Sequence, residues 1–470
     1  MNGPIAKLFG VIVIMFALLI GWTSRWTVFD ASSLNANPLN KRTLADDLKI
    51  KRGRILADNG EVLAKSVPAG GGTWKRTYPK GSLFSQTVGY SDVLNGEQAG
   101  LEQSDDSDLR GLNQGLDSVF GQVAGTRVGD DVYTTLDPKA QQVARADLAG
   151  RQGAVVALNP KTGAVLALYA NPTYNDNAPT AGGSQFNYAT QAYDPPGSTF
   201  KIVTATAALD SGKYTPNSMI DGKSPITVSG VPLSNDANEQ YGLITLTDAL
   251  INSVNTVFAQ VAESVGIPTM TEYMKRFGFY AKPPIDLPPS QLRASNVRSF
   301  TGKFLRAGSN QEDIGRIGIG QGGLLVTPLQ MAEVVATVAN GGKLMAPHLT
   351  AKVVDPTGQT VKTITPTVYS TVMKPATAAN LTQMMLKVVE EGTGQPAQLG
   401  NISVAGKTGT ASIGHLGQNL TEPWFVGFAP VNNPQVAVAV TVQQTQGGYG
   451  ATVAAPIARD VMQTLLAEGK

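Results

Sequence analysis

A long apolar segment opens the chain. The residues from Leu8 to Ser24, LFGVIVIMFALLIGWTS, carry no charge, and their number is at the short end of what crosses a bilayer as a helix. The bulky residues that follow provide no small-x-small cleavage site, although a cleaved signal peptide is the alternative interpretation. The pattern predicts an uncleaved signal anchor within residues 1–29, with the rest of the chain outside the cytoplasm.

The next stretch is polar and irregular. The short apolar runs RIL and EVLA flank the turn Asp58-Asn59-Gly60, a combination that is typical of a β-hairpin. Residues 71–130 are rich in Gly, Asp and Gln and show little periodicity, which favours a loosely built module. We therefore predict a small mixed N-terminal domain over residues 30–150.

Residues 151–470 show stronger patterns. GAVVALNPKTGAVLALYA predicts a hairpin, and ISVAGKTGTA, WFVGFAP and QVAVAVTVQQ predict three strands near the end of the chain. Helical patterns lie between these two groups, and one of them, LTDALINSVNTVFAQVAESVG, breaks at Asn252–Asn255. Strands before and after a block of helices predict an α/β (α+β) fold with a central antiparallel sheet flanked by helices, in a second domain over residues 151–470.

The amino-acid composition excludes several types of partner, binding site and nucleophile. The 470 residues have a net charge of +2, which argues against a nucleic-acid partner. The absence of cysteine excludes disulfides, iron–sulfur clusters and a thiol nucleophile. Because the only histidines are His348 and His415, far apart in sequence, we expect no metal site and no cofactor. A hydrolase or acyl transferase with this composition needs a base other than a triad histidine.

Ser198 and Lys201 are candidates for a nucleophile and its base. They lie three residues apart in YDPPGSTFKIVTATAALDSG, at the predicted start of a helix, where i and i+3 side chains share a face. A desolvated lysine can act as a base near neutral pH. The alternative is a polar helix terminus beside a surface lysine, since about one or two S-x-x-K matches arise by chance in such a chain.

Two further motifs strengthen the first interpretation. Ser253-Val254-Asn255 interrupts a helical pattern, where polar side chains can project into a cleft. Lys407-Thr408-Gly409-Thr410 lies in a predicted strand, and its glycine would let a substrate backbone approach closely. A second K-T-G sequence at Lys161 is the turn of the predicted hairpin. The ordered set of three motifs therefore indicates a serine enzyme.

These motifs resemble the transpeptidase domain of penicillin-binding proteins. The resemblance extends over PPGSTFK, SVNTVF, GQGGLLVTPLQMA, AGKTGTA and WFVGFAP. Upstream, RGRILADNGEVLA is similar to the RGxIxDRNGxxLA signature of class B members, although it lacks the arginine. NPLNKR and GLEQSDDSDLRG also look like the class B N-terminal (dimerisation or pedestal-like) region, and the whole chain is most like the penicillin-binding protein A type of actinobacteria.

The resemblance implies a peptidoglycan D,D-transpeptidase. Ser198 would attack the penultimate D-alanine of a stem peptide and Lys201 would take its proton. Ser253 would relay a proton to the leaving amine, and Asn255 would orient Lys201 and the substrate amide. Lys407 would provide positive potential near the substrate carboxylate. The substrate-binding residues would be Thr408, Gly409 and Thr410, and the amides of Ser198 and Thr410 would form the oxyanion hole.

The resemblance also implies partners and alternatives. An amine of a second stem peptide would complete the cross-link, β-lactams would acylate the serine, and wall-synthesis or division proteins would dock on the N-terminal region. A D,D-carboxypeptidase shares the same motifs, as do β-lactamases and β-lactam sensors. A non-catalytic scaffold of the same fold is the remaining alternative, and the intact Ser198, Lys201, Ser253 and Lys407 argue against it.

Overall fold

A computed structural model describes residues 2–25, 46–112, 127–413 and 420–469. The NPLNKR segment and His415 lie outside the described residues. The α-helices within these ranges are α1 Asn2–Ser24, α2 Gly100–Ser104, α3 Asp106–Leu109, α4 Pro138–Leu148, α5 Tyr188–Gln191, α6 Lys201–Asp210, α7 Leu246–Ile251, α8 Asn255–Val265, α9 Ile267–Arg276, α10 Ile314–Ile317, α11 Pro328–Ala339, α12 Pro375–Glu390 and α13 Ala454–Ala467.

The strands follow the same chain order. They are β1 Ile55–Leu56, β2 Val62–Gly70, β3 Thr73–Thr77, β4 Ser91–Asp92, β5 Glu97–Gln98, β6 Asp131–Thr134, β7 Gly153–Leu158, β8 Val165–Asn171, β9 Met219–Asp221, β10 Ile226–Val228, β11 Val231–Leu233, β12 Leu243–Thr245, β13 Asn296–Val297, β14 Leu324–Leu325, β15 Lys343–Met345, β16 Thr350–Val354, β17 Thr360–Thr363, β18 Val368–Thr371, β19 Ala405–Ser412, β20 Leu420–Ala429, β21 Val436–Val442 and β22 Thr445–Gln446.

Helix α1 is apolar along its whole length. Gly3–Ser24 has a mean hydropathy of 2.4, and none of it is buried against the rest of the protein. Twenty-two residues of helix are about 33 Å long at 1.5 Å per residue, which matches the hydrocarbon thickness of a bilayer. The helix therefore fits the predicted membrane anchor.

A twisted sheet in the N-terminal part has the strand order β17-β16-β6-β1-β2-β3. β1 and β2 form the predicted hairpin around the Asp58-Asn59-Gly60 turn, with Leu56 opposite Val62. β1 and β6 are parallel, and β6 pairs with β16 antiparallel. The sheet thus includes two strands from the region predicted as the second domain, and the domain boundary at residue 150 stays a prediction.

The second sheet is antiparallel and carries the core of the molecule. Its strand order is β19-β20-β21-β7-β8, with β22 added beside β20. Every residue of β7 and β21 is buried, because α11 and α13 pack against this sheet, and α12 covers β19 on the flank of α6. The architecture confirms the predicted fold class, an antiparallel sheet flanked by helices next to a smaller N-terminal unit.

Most of the predicted elements of this part are confirmed. NPKTG joins β7 to β8, and the three late strand patterns form β19, β20 and β21. The helical pattern that breaks at Asn252–Asn255 becomes α7 and α8. The segment 281–316 is irregular apart from β13, α10 and one short 3₁₀ turn, as its lack of periodicity indicates.

A buried ion network holds the N-terminal unit together at the start of the RGRIL motif. Arg52 Nε lies 3.1 Å from Glu102 Oε2, and Arg76 Nε lies 2.5 Å from Glu102 Oε1. Glu102 is fully buried, so this carboxylate depends on both guanidinium groups for its charge compensation. Gly53, next to Arg52, packs directly on the backbone of Gly129 and Asp130.

We expect Gly53→Ala to destabilise the protein strongly. A Cβ at this position would lie 1.8 Å from Asp130 O, and relief of such an overlap within a packed sheet costs about 3 kcal/mol. Gly60→Ala is the matched control, because nothing lies within 4 Å of its Cβ and its φ of +84° costs only about 1 kcal/mol. Thermal unfolding of the two variants measures the difference. Equal shifts would contradict the proposed close contact at Gly53.

Candidate active site

A single tight turn carries Ser198. Gly197–Phe200 is a 3₁₀ turn that continues directly into α6 at Lys201. Since a 3₁₀ helix has three residues per turn, Ser198 and Lys201 lie one above the other. Pro195 and Pro196 precede the turn and disfavour any earlier start of the helix. Ser198 is half-buried, whereas Lys201 is fully buried.

Glycines allow this turn to approach two other segments. A Cβ at Gly320 would lie 1.9 Å from Gly197 O, and a Cβ at Gly409 would lie 2.8 Å from Pro196 O. Gly197 itself has a φ of +52° and lies against the carbonyl of Thr410. The strand-like KTGT run predicts that Gly409 lets a substrate backbone approach closely. In the structure the space beside Gly409 is occupied by the turn that carries Ser198.

Ser253 lies between α7 and α8 with a φ of +57°. This left-handed conformation costs a serine about 1 kcal/mol. The kink between the helices turns both oxygens of Ser253 toward lysine side chains. Lys201 Nζ lies 2.6 Å from Ser253 O and 3.3 Å from Ser253 Oγ. Lys407 Nζ donates to Ser253 Oγ at 3.0 Å, so the serine hydroxyl stands between the two amines.

The remaining contacts of the two amines involve neutral acceptors. Lys201 Nζ donates to Asn255 Oδ1 at 2.7 Å, and Lys407 Nζ donates to Thr408 O at 2.9 Å. Both lysines are fully buried. Within residues 46–112, 127–413 and 420–469, neither amine forms an ion pair with a carboxylate. Two buried lysines are therefore close together without a counter-charge in contact.

This environment lowers the pKa of both lysines. Burial is the largest cause for Lys201 and takes its pKa well below the ordinary value; the charge of Lys407 lowers it further, and Asp236 opposes the shift. Burial lowers the pKa of Lys407 to about 7. Burial and the nearby charge both favour the neutral form of Lys201, an amine with two N–H donors and one lone pair.

The geometry indicates how the protons are arranged around Lys201. Its two shortest contacts are to Ser253 O and Asn255 Oδ1, which only accept, so its two N–H groups are directed there. The lone pair is left for a hydroxyl donor. Among the described residues, the Ser198 hydroxyl makes no hydrogen bond, and it lies one turn below this amine. Hydrogen bonds between a nucleophile and its base are often long without substrate and shorten only when substrate is bound.

The two threonines of the KTGT motif have partners within the protein. The hydroxyl of Thr408 lies 2.6 Å from that of Thr393, and Thr410 Oγ1 accepts from the amide of Gly450 at 3.2 Å. Sequence reasoning did not identify Thr393, Gly450 or Asp236. Thr393 lies in an EGTG loop and Gly450 in a GGYG loop, so glycine-rich context was the only signal.

The described residues contain no group of three or more His, Asp or Glu side chains arranged for a metal ion. His348 lies two residues before β16, remote in sequence from the lysines, and its carbonyl accepts from Val165 N. The structure thus brings together Lys201, Ser253, Asn255 and Lys407 next to the Ser198 turn. This arrangement supplies a half-buried hydroxyl, a buried amine whose pKa is lowered, and a serine hydroxyl that contacts both lysine amines.

Two protein-family models and several known proteins match this chain. Residues 153–463 match the penicillin binding protein transpeptidase domain, and residues 52–129 match the penicillin binding protein A dimerisation domain. The peptidoglycan D,D-transpeptidase PbpA of Mycolicibacterium smegmatis is 32% identical over 100% of both chains. That of Mycobacterium tuberculosis is 30% identical over 99% of both chains.

Solved structures give the same result. Penicillin-binding protein A from M. tuberculosis, as a ceftriaxone acyl-enzyme complex, has a TM-score of 0.81 at 30% identity and covers 90% of this chain and 100% of its own. A D,D-transpeptidase domain from Eggerthella lenta has a TM-score of 0.78 at 30% identity, covering 90% of this chain and 99% of its own. The chain belongs to the penicillin-binding protein transpeptidase family.

Proposed function

We propose that this protein is a peptidoglycan D,D-transpeptidase that cross-links stem peptides through an acyl-enzyme on Ser198 and is inhibited by β-lactams. The observation that carries the proposal is the fully buried Lys201, whose pKa is lowered by burial and which lies one 3₁₀ turn from the Ser198 hydroxyl. Relatives named as D,D-transpeptidases, and a relative solved as a β-lactam acyl-enzyme, support the same reaction class.

In the acylation step, Ser198 Oγ attacks the carbonyl carbon of the penultimate D-alanine. The hydroxyl proton moves to the lone pair of Lys201, and the bond to the terminal D-alanine breaks. The leaving amine takes a proton through Ser253, whose hydroxyl contacts both lysines. An amine of a second stem peptide then attacks the ester, forms the cross-link and releases Ser198.

Substrate recognition is proposed for the open edge of β19. β19 is the terminal strand of its sheet, so a peptide can pair along its free side. Thr410 lies opposite Pro423, which has no N–H, and its carbonyl reaches Gly197. We assign the amides of Thr410 and Ser198 to an oxyanion hole, because the carbonyl of Thr410 lies against Gly197, the residue before Ser198, and brings the two segments together. We propose that Lys407, Thr408 and Thr410 bind the terminal carboxylate of the substrate.

The proposal includes a location in the membrane and protein partners. Helix α1 would anchor the protein in the plasma membrane as a single span, with both domains on the extracytoplasmic side, where the stem peptides are. The N-terminal domain, predicted as residues 30–150, would offer a surface to proteins of wall synthesis or division. The match of residues 52–129 to a dimerisation domain supports a role in association.

Acylation by penicillin tests Ser198 as the nucleophile. The protein without its anchor should form one covalent adduct with a fluorescent penicillin, and Ser198→Ala should lower acylation by about 10³-fold or more, because the attacking oxygen is missing. Ser211→Ala, at the other end of α6, is the control and should keep the adduct. Intact-mass measurement over hours provides the readout, with unchanged thermal unfolding in both variants. An adduct on Ser198→Ala would disprove the assignment.

The acceptor distinguishes the cross-linking reaction from hydrolysis. With a D-Ala-D-Ala stem peptide and an amine acceptor peptide, we expect a cross-linked product together with free D-alanine, detected by mass. Free D-alanine without a cross-linked product would assign a D,D-carboxypeptidase, and rapid loss of the penicillin adduct with accumulation of hydrolysed drug would assign a β-lactamase.

The pH dependence of acylation tests the role of Lys201. The rate should fall as pH drops through the pKa of Lys201, because the protonated amine cannot accept the serine proton. Lys407→Met removes a charge that lowers this pKa, so the acidic limb should move to higher pH. Asp236→Asn removes a charge that raises it, so the limb should move to lower pH.

The acylation rate is measured by stopped flow from about pH 5 to about pH 10, close to the ordinary pKa of lysine. Both displacements of the acidic limb are taken from these pH profiles. Lys161→Met, in the other K-T-G sequence, is the control and should leave the limb in place, because Lys161 lies exposed in the β7–β8 turn. Displacements in the same direction for Lys407→Met and Asp236→Asn would rule out Lys201 as the titrating base.

A further inference from the structure

Three aromatic side chains and two arginines form a cluster beside the Ser198 turn. The arginine–aromatic cluster consists of Phe186, Tyr193, Arg293, Arg298 and Phe304. The guanidinium carbon of Arg293 lies 5.4 Å from the ring centre of Phe186 and 5.0 Å from that of Tyr193. That of Arg298 lies 5.8 Å from the ring centre of Phe304, which is 5.1 Å from Tyr193.

The two guanidinium groups have no anionic partner. Within the described parts of the chain, neither Arg293 nor Arg298 forms a side-chain hydrogen bond or an ion pair, although each is half-buried. Arg298 Nε is buried without an acceptor. Arg276 differs from these two arginines. It also lies over an aromatic ring, that of Tyr273, but it forms an ion pair with Glu272. An arginine presents five N–H donors in a fork that matches a carboxylate.

The backbone ties the cluster to the Ser198 turn. Gly197 N donates to Gly320 O at 3.1 Å, and Arg298 N donates to Gly323 O at 2.7 Å, so the loop after α10 bridges the two. Asp194 bridges to Val326 in extended conformation and points inward to Tyr188 and Gln443. Since successive side chains alternate in an extended segment, Tyr193 points to the opposite side.

The cluster is accessible to a ligand. Phe186 is 37% exposed and Phe304 is 45% exposed. The adjacent Phe300, on the same loop, is fully exposed. Aromatic rings hold the arginines in place while leaving their donors available, so the cations are oriented before any ligand arrives. Orientation in advance reduces the entropic cost of binding.

The open edge of β19 and the arginine–aromatic cluster both border the Ser198 turn. Lys407, near the start of β19, contacts Ser253, and Thr410, further along, contacts the Ser198 turn at Gly197. A peptide whose terminal carboxylate lies near Lys407 has its remaining residues along the later part of β19.

We propose that the arginine–aromatic cluster is a subsite for a second carboxylate of the stem peptide, one that belongs to a residue preceding the D-Ala-D-Ala terminus. Arg293 and Arg298 bind this carboxylate through charge-assisted hydrogen bonds. The exposed rings of Phe186 and Phe304 contact the aliphatic part of the peptide. The subsite rests on the proposed transpeptidase function and adds to it a preference for acidic stem peptides.

The test uses two pentapeptides that end in D-Ala-D-Ala and differ at one position. One has a free carboxylate at its second residue and the other has a carboxamide there. Binding of the rhodamine-labelled peptides to the full-length Ser198→Ala protein is measured by fluorescence anisotropy. We expect the carboxylate peptide to bind roughly tenfold more tightly, since a charge-assisted hydrogen bond is worth about that factor.

Substitution of the arginines locates the effect. Arg293→Gln and Arg298→Gln should each weaken binding of the carboxylate peptide more than binding of the carboxamide peptide, and so reduce the preference for the carboxylate several-fold. Arg276→Gln is the matched control and should keep the full preference. Arg298→Lys keeps the positive charge but lacks the forked N–H donors of the guanidinium group. We therefore expect its preference for the carboxylate peptide to lie between those of the unsubstituted arginine and Arg298→Gln. Circular dichroism and thermal unfolding confirm that each variant is folded.

The outcomes separate this subsite from the proposed function. Equal binding of the two peptides by the parent protein, or an unchanged preference in both arginine variants, would overturn the subsite. Acylation of the serine-intact protein by fluorescent penicillin is measured in parallel and depends on the proposed function alone. A protein that is acylated yet shows no carboxylate preference therefore refutes the subsite and leaves the transpeptidase proposal standing.

Discussion

Two buried lysine amines that share one serine hydroxyl determine the character of this site. Lys201 and Lys407 are both fully buried, and both contact Ser253 Oγ. Two adjacent ammonium groups without a carboxylate in contact are unfavourable in a low-dielectric interior. Burial and the charge of Lys407 therefore lower the pKa of Lys201 and favour its neutral form, which is the form that the proposed acyl transfer requires of its base. Burial, strain at Ser253 and catalytic competence are therefore parts of the same arrangement.

Close backbone contacts keep the three motif segments at this spacing. The Ser198 turn lies between Gly320 and Gly409, and Gly450 packs over Gly409 and supplies an amide to Thr410. A side chain at any of these glycines would overlap with main-chain atoms. Because main chain is less adjustable than a flexible side chain, the site tolerates little displacement between α6, β19 and the loop after α10.

The sequence predicted the local parts of the site well. The S-x-x-K spacing matches one 3₁₀ turn, the break at Ser253 follows from a failed helical pattern, and the KTGT run reads as a strand; each of these depends on neighbouring residues. The Thr393–Thr408 contact, the amide of Gly450 and the influence of Asp236 depend on residues distant in sequence. The same reason explains why β16 and β17 were not expected in the N-terminal sheet, and why the space beside Gly409 was assigned to substrate.

The protonation state of Lys201 is the most direct test of this account. Nitrogen-15 NMR of protein labelled at the lysine Nζ atoms, with the signal assigned by comparison with Lys201→Arg, reports whether the group is an amine or an ammonium. We predict that Lys201 loses its proton at a pH well below 10.5, the ordinary pKa of a lysine. An ammonium signal for Lys201 that persists up to that ordinary pKa would contradict the assignment of Lys201 as the base.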